Sequence, residues 1–195
     1  MAVMEDPTYT LDWRFLSEAD QPWVGRFSCG GEWWSQEVTA FLREDALTHA
    51  AEGLNQTILF SFRGERDLVG FVTIASDGLK LTEVQGVVSV STSVPGGRLP
   101  AAVIPYFGVA QALRGNGIGR EMHTQVLRQV TEQWAAARVL YLQCWQENEA
   151  GIRFWRRLGY EEFAVRPREG PDKAKHLLVF MLFDRFRLPS APGAL

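Results

Sequence analysis

The chain has 195 residues, 46% of them hydrophobic and 22% charged, which is enough for one well-buried core and predicts a single domain over residues 1–195. Its longest apolar runs have seven residues, against the roughly 20 that a membrane-spanning helix needs. Its start, MAVMEDPTYT, has neither the basic end nor the apolar segment of a signal peptide. We therefore expect no membrane partner. Two widely separated cysteines, Cys29 and Cys144, indicate a reducing compartment, the cytoplasm.

The net charge of −3 is unevenly distributed. Residues 1–100 carry 7 basic and 14 acidic side chains, whereas residues 101–195 carry 13 basic and 9 acidic ones. This asymmetry suits a protein that holds an anion with its second half and a cation with its first, although a solvated surface alone produces such a distribution about as often. Three histidines without clustered spacing predict no metal site.

Four segments of the first half have recognisable patterns. Residues 8–16, TYTLDWRFL, are typical of a strand, and apolar side chains at helical spacing predict a helix over residues 33–52. Residues 56–76 form two β-rich runs joined by a short polar turn, the pattern of an antiparallel hairpin. Residues 77–100 mix short β-branched runs with Gly and Pro, which predicts a long, partly extended excursion.

The second half alternates strands with helices. AAVIPYFGVA, residues 101–110, and RVLYLQCW, residues 138–145, are predicted buried strands. Between them lies a helix whose apolar face comprises Ile118, Met122, Val126, Leu127, Val130 and Trp134. A shorter helix begins near Asn148 and ends at Gly159. Residues 161–166 and 175–183 complete the strands, and we expect the tail, residues 188–195, to be frayed.

The order β, α, β, β, β, α, β, α, β, β has a consequence for the sheet. The strand–helix–strand crossover in the second half predicts a parallel central pair, while the hairpins predict antiparallel neighbours. The fold class is therefore α/β with a mixed sheet.

The cluster RGNGIG, residues 114–119, precedes the longer helix. Asn116–Gly117 is a hairpin signal, but the helical period that follows disfavours a hairpin. A nucleoside-triphosphate loop needs GxxxxGK followed by Ser or Thr, and no lysine is present. A dinucleotide fingerprint needs GxGxxG where this chain has GxGxG, so an NAD-dependent dehydrogenase stays as a weak alternative.

The surviving interpretation is an anion site. The first amides of a helix lack internal partners and carry partial positive charge, so they bind phosphate well. Glycines let the backbone come close to the phosphate, and Arg114 adds a planar, permanently charged fork.

These residues resemble the GNAT superfamily of N-acetyltransferases. RGNGIG fits the superfamily's acetyl-CoA pyrophosphate signature, which is arginine or glutamine, two free positions, glycine, one free position, then glycine or alanine. A second block, QCWQENEAGIRFWRRLGYEEF, is similar to the superfamily's later motif through Asn148, Gly151, Trp155, Gly159 and Tyr160. The specific resemblance covers residues 101–165 and extends to the remainder in outline.

The resemblance implies both a fold and an activity. The fold is a mixed, mostly antiparallel sheet whose central parallel strands splay apart to hold acyl-CoA, with helices on both faces. The activity is transfer of an acetyl group from acetyl-CoA, the co-substrate, to a primary amine of a small molecule or protein by direct attack in a ternary complex, without a metal. Homodimers are common in the superfamily. A non-catalytic acyl-CoA-binding module is the alternative in another class.

The resemblance also assigns site residues. The Val109 amide would stabilise the oxyanion of the tetrahedral intermediate. Apart from the resemblance, Tyr106 and Glu83 are candidates for relaying a proton, with ordinary packing or a surface position as equal alternatives. The residues expected to bind acetyl-CoA are Phe107, Val109, Arg114, Gly115, Asn116, Gly117, Ile118, Gly119, Arg120, Asn148 and Trp155. Trp155 departs from the superfamily, which has at this position a tyrosine whose hydroxyl commonly protonates the CoA thiolate.

Weaker features concern the acceptor. RFSCGGEWWSQEVTAFLREDA and GLNQTILF are faintly similar to GNAT-type toxins that acetylate aminoacyl-tRNA, but a pI near 5.7 and an acidic first half disfavour tRNA binding. Trp33 and Trp34 line either the core or an acceptor pocket. We expect Cys144 and His123 to have structural roles.

Overall fold

The protein is described by a computed structural model that covers residues 10–90, 93–170 and 172–186. The first two residues of the predicted first strand, and the tail predicted to fray at 188–195, lie outside the described residues.

The described residues form seven strands and five α-helices. The strands are β1 (Leu11–Phe15), β2 (Gln56–Phe62), β3 (Leu68–Lys80), β4 (Arg98–Val109), β5 (Val139–Trp145), β6 (Glu161–Glu169) and β7 (Lys175–Asp184). The helices are α1 (Gln21–Val24), α2 (Trp33–Glu44), α3 (Ala46–Ala51), α4 (Ile118–Gln133) and α5 (Glu149–Arg157). Short 3-10 turns precede α1 and α4. Among the described residues, no helix combines the length and apolarity needed to cross a bilayer.

All seven strands belong to one sheet, in the order β1-β2-β3-β4-β5-β7-β6. The β4–β5 pair is parallel and every other pair is antiparallel. The helix α4 makes the crossover between the two parallel strands, as the crossover rule requires. The predicted mixed, mostly antiparallel sheet is confirmed.

Three local predictions need correction. The helix predicted over residues 33–52 is two helices that meet at Asp45, whose φ of −113° is distorted from the helical value of about −63°. The excursion predicted over residues 77–100 is shorter, because β3 and β4 pair as far as Lys80 and Arg98. The short helix α1 was not predicted, since its single turn is too brief to show a period.

The sheet's two faces carry separate cores. On one face, α4 and α5 pack onto the central strands through the buried side chains of Ile118, Met122, Val126, Val130, Ile152 and Trp155. On the other face, α2 and α3 contribute Phe41, Leu42 and Ala46 to a smaller cluster that includes Leu59 and Phe71 of the sheet. Helices therefore cover both faces, as the resemblance implied.

The central parallel pair separates partway along its length. Pairing between β4 and β5 runs from Ala101 opposite Val139 to Ile104 opposite Leu142 and stops there, although both strands continue. The pairing of β4 with β3 shifts at the same place, so that two residues of β4, Ile104 and Pro105, oppose one residue of β3. Such a bulge bends its strand. Beyond Ile104 the two strands bound an opening in the sheet.

Candidate active site

The backbone of β4 supplies hydrogen-bond donors to this opening. The amide of Ala110 donates to the carbonyl of Val69 in β3 at 2.9 Å. Because successive residues of a strand direct their N–H groups to opposite sides, the amides of Val109 and Phe107 point away from β3. They face the side where β5 has separated, which is where the Val109 amide was predicted to act.

The predicted glycine loop enters α4 on the side of the sheet that α4 and α5 cover. Gly115 and Gly117 both have φ 81°, in the left-handed region that favours glycine. The first helical hydrogen bonds run from the amides of Arg120 and Glu121 to the Gly117 carbonyl, at 3.0 and 3.2 Å. The amides of Ile118 and Gly119 consequently have no acceptor within the helix.

Gly119 brings this loop against both the opening and α5. A Cβ atom at Gly119 would lie 3.1 Å from the ring of Phe154 and 3.6 Å from Cγ2 of Val109. The glycine loop, the Val109 amide and α5 therefore meet at one end of the opening. Unpaired amides at a helix start, next to a strand amide that faces the gap, suit an elongated ligand with a phosphate group and a carbonyl, as acyl-CoA has.

Trp155 lies inside an aromatic cluster. Its ring centroid is 4.9 Å from that of Phe107 and 4.8 Å from that of Phe154, and its side chain is buried. His123 contacts the same ring, and burial lowers the pKa of His123 to about 4, so its imidazole is neutral. His123 Nε2 lies 3.1 Å from the hydroxyl of Tyr160. These contacts fit the structural role predicted for His123.

Two predicted cofactor residues have structural contacts of their own. The Asn148 side-chain oxygen accepts the Gly151 amide at 2.9 Å and so caps α5. The Arg114 guanidinium donates to the Cys29 carbonyl and, at 3.0 Å, to Ser35 Oγ. The side chain of Arg114 therefore connects the glycine loop to the start of α2.

The remaining residues of the loop differ in what they offer. The Asn116 side chain is exposed and its amide nitrogen lies 3.4 Å from the Leu113 carbonyl. The Ile118 side chain is buried in the core, so only the Ile118 backbone faces the loop. Arg120 lies exposed in the first turn of α4.

The opposite face of the opening is lined by Tyr106 of β4, Trp145 of β5 and Glu37 of α2. The Tyr106 ring stacks on Phe41 with centroids 3.7 Å apart and an interplanar angle of 8°. Burial, reinforced by the charge of Glu37, raises the pKa of Tyr106, so its phenol is protonated at neutral pH. The indole N–H of Trp145 donates to Glu37 Oε2 at 2.8 Å.

Of Tyr106, Trp145 and Glu37, only Tyr106 was predicted from the sequence as a site residue. Glu37 was given no role, because a single carboxylate on an amphipathic helix carries no motif. Glu83, the other residue considered for proton relay, instead pairs with Arg166 at 3.1 Å. Trp33 packs on the Trp145 ring with centroids 4.9 Å apart, so one of the two tryptophans proposed for an acceptor pocket does lie beside the opening.

Neither cysteine has the features of a nucleophile. Both are free and buried, and burial raises the pKa of Cys29 to about 11 and that of Cys144 to about 12. Cys144 packs in the core under α5, in agreement with its predicted structural role. Within the described ranges, no group of three or more His, Cys, Asp or Glu side chains is arranged so that it could hold a metal ion.

Both the sequence and the fold are similar to those of known proteins. The sequence profile of the acetyltransferase (GNAT) family matches residues 13–160, which is most of the chain. This chain belongs to the GNAT acetyltransferase family. No curated protein sequence matches it.

Several solved structures share its fold. A bacterial toxin is 17% identical, with 91% of this chain and 92% of that chain covered and a TM-score of 0.68. AtaT complexed with acetyl-methionyl-tRNAfMet is 14% identical, with 90% and 95% covered and a TM-score of 0.63. NAA60 of Arabidopsis thaliana in complex with acetyl-CoA is 16% identical, with 90% and 99% covered and a TM-score of 0.64.

Membership establishes acetyl-CoA-dependent acyl transfer as the chemistry of this GNAT fold. The matched residues, 13–160, include the parallel pair β4–β5 and the glycine loop. Trp155 differs from the tyrosine expected at this position, because a buried indole replaces the phenol.

His176, at the start of β7, contacts three separate segments near the outer edge of this GNAT site. Its Nδ1 lies 2.7 Å from Glu147 Oε1 and its Nε2 lies 2.9 Å from Asp172 Oδ1. Only the imidazolium donates from both nitrogens, and these two bonds raise the pKa of His176 above its ordinary value. The His176 ring also packs on Trp33, 4.7 Å between centroids. The cation therefore connects the β5–α5 loop, the β6–β7 turn and α2.

We expect the stabilisation provided by the His176 ion pairs to depend on pH. Because the folded pKa of His176 is raised, its stabilisation is fully present below the ordinary value of 6.5 and is lost as pH rises through the raised pKa. The difference in unfolding free energy between wild type and His176→Gln should therefore be larger at pH 6 than at pH 8.5. An NMR titration should show His176 titrating above 6.5, while buried His123 stays neutral between pH 5.5 and 8. A His176 midpoint below 6.5 would contradict the ion-pair assignment.

Proposed function

We propose that this acetyltransferase moves the acetyl group of acetyl-CoA to a primary amine by direct attack in a ternary complex. The observation that supports this best is the opening between β4 and β5, which has different residues on the two faces of the sheet. One mouth presents the glycine loop and the other presents Glu37 and Tyr106. A donor and an acceptor can thus enter from opposite sides and meet beside the Val109 amide.

The donor side is assigned to the α4–α5 face. The amides of the loop would hold the pyrophosphate, and the residues proposed for this are Arg114, Gly115, Asn116, Gly117, Ile118, Gly119 and Arg120. Phe107 and Trp155 would pack along the pantetheine, and Asn148 would lie beside it while capping α5. Arg114, which contacts Cys29 and Ser35 and also pairs with Glu32 at 3.7 Å, would add its charge by exchanging the Glu32 carboxylate for phosphate.

The reaction then needs an oxyanion donor and a route for protons. Acetyl-CoA supplies a thioester, from which the C–S bond breaks as the C–N bond to the amine forms. The Val109 N–H would donate to the thioester oxygen, a role typically worth about 3–4 kcal/mol. An ammonium acceptor releases two protons overall, one of which can be taken by the departing thiolate.

The departing thiolate takes up a proton, and the residues at the opening differ in whether they can donate it. An indole N–H is too weak an acid to serve near neutral pH, so Trp155 cannot replace the family's tyrosine. Tyr106 keeps its proton at neutral pH and lies at the opening, which makes it the candidate donor. The thiolate can also leave unassisted, because a free thiol has a pKa of about 8.5.

Aminoacyl-tRNA is the second candidate acceptor, since it carries a primary amine and AtaT shares this fold along most of both chains. Binding tRNA calls for cations available to phosphates. Three arginines of the C-terminal part, Arg153, Arg156 and Arg166, instead pair with Glu149, Glu162 and Glu83. The charge distribution therefore favours a small-molecule or protein amine.

We propose one domain for the whole chain, because a single sheet joins strands from both halves of the sequence. The cytoplasm as location and a homodimer as assembly remain predictions from the sequence.

The first test combines binding with turnover. Gly117→Asp puts a carboxylate at the start of α4, so acetyl-CoA binding measured by calorimetry should be lost, and with it the release of free thiol in the presence of an amine panel. Gly86→Asp is the matched control, because Gly86 also has a positive φ but has open space around its Cα. Unchanged affinity in Gly117→Asp would refute the loop assignment. Binding without thiol release in wild type would favour the non-catalytic module.

The second test concerns Trp155. If the indole serves only in packing, Trp155→Phe should keep most activity, and Trp155→Tyr should do no worse than Trp155→Phe. The measurement is saturated turnover together with acetyl-CoA affinity and melting temperature. A loss of more than about a hundredfold in Trp155→Phe, a barrier increase of about 2.7 kcal/mol with affinity and melting temperature unchanged, would give the indole a part in the chemistry.

A further inference from the structure

The α2-facing mouth of the opening contains a carboxylate without a cationic partner. Among the described residues, no Lys or Arg nitrogen lies within 4.0 Å of the Glu37 carboxylate, and its one side-chain hydrogen bond comes from the Trp145 indole N–H. That bond uses Oε2 and leaves Oε1 without a protein donor in the same set. Glu37 is half-buried, so its charge acts through a less polar medium than water.

The position of Glu37 relates it to the reacting centre. Tyr106 on β4 and Trp145 on β5 both face α2 beyond the last β4–β5 pair. The Glu37 carboxylate accepts the Trp145 indole N–H, and its charge raises the pKa of Tyr106. Glu37 is therefore close to a side chain of each of the two separated strands. Val109, whose amide faces the gap, is three residues from Tyr106 on the same strand.

Aromatic side chains neighbour Glu37 along α2, because Trp33 and Phe41 stand four residues before and after it on the helix. Trp33 packs against Trp145 with centroids 4.9 Å apart, and Phe41 stacks on Tyr106. A carboxylate beside such rings favours a cation, because both the charge and the ring faces attract it.

Two competing positive charges lie near these rings: the Arg168 guanidinium is 5.8 Å from the Trp145 ring centroid, and the His176 ring is 5.9 Å from it. Among the described residues, neither forms an ion pair with Glu37.

We propose that Glu37 binds the ammonium group of the acceptor, with Trp33, Trp145 and Tyr106 as apolar walls, so that the site selects a cationic primary amine carried on an apolar or aromatic group. This inference rests on the proposed amine acetylation and specifies its acceptor. Glu37 is then a specificity residue that positions the nitrogen beside the opening. It also gives a function to the acidic first half of the chain.

Binding by the protein saturated with CoA tests the inference without turnover. The probes are phenethylamine, which is cationic at pH 7.5, and 2-phenylethanol, its neutral counterpart of the same shape. Wild type should bind phenethylamine at least about tenfold more tightly, and Glu37→Gln should remove that preference while retaining an acceptor for the Trp145 indole. Glu44→Gln is the matched control, because it removes the same charge from the exposed end of the same helix.

Turnover separates this inference from the proposed function. With phenethylamine as acceptor, Glu37→Gln should raise the KM for the amine about tenfold or more, leave the KM for acetyl-CoA unchanged and keep kcat within about threefold. Equal affinity of wild type for the two probes, absence of binding by either, or a fall in kcat at unchanged KM would overturn the role of Glu37. Glu37-dependent binding without thiol release would sustain the binding site and refute acetyl transfer. Melting temperatures establish that the variants are folded.

Discussion

The interruption of pairing between β4 and β5 is the constraint on which the site depends. Two backbone amides of β4, those of Phe107 and Val109, lose their strand partner there. A buried amide without an acceptor costs about 1–3 kcal/mol, so the fold accepts a cost that a ligand carbonyl can offset. The bulge at Ile104 and Pro105 produces the interruption, and the cores on the two faces hold the separated strands in place.

The two faces of the sheet present different chemical groups to the opening. The face covered by α4 and α5 has a helix start with unpaired amides and a tightly packed aromatic cluster, which suit an anionic, elongated donor. The face covered by α2 has a carboxylate among aromatic rings, which suits a cationic acceptor. The uneven charge along the sequence corresponds to this division, because α2 comes from the acidic half and the glycine loop from the basic half.

How far the sequence could predict this arrangement varied with the range of the interactions. The glycine loop, α4 and α5 were predictable, because their hydrophobic periods and helix caps involve residues close together in the sequence, such as Asn148 and Gly151. The parallel pair followed from the crossover rule. The bulge opposite Ile74 depends on strand register, which no local pattern specifies. Glu37 and Trp145 are 108 residues apart, so their contact and its chemistry emerged only from the fold. Arg114 was predicted as a phosphate ligand, and its bonds to Cys29 and Ser35 are likewise long-range.

The central claim is that acetyl-CoA occupies the opening between β4 and β5 with its phosphates on the glycine loop. Amide hydrogen exchange resolved by NMR, with and without acetyl-CoA, tests this most directly. We predict slower exchange on binding at Val109, Ile118 and Gly119, whose amides lack acceptors in strand or helix, and no change at exposed Gly86. Unchanged exchange at Val109 and at the loop, with protection elsewhere on the surface, would place the ligand outside the opening and contradict the account.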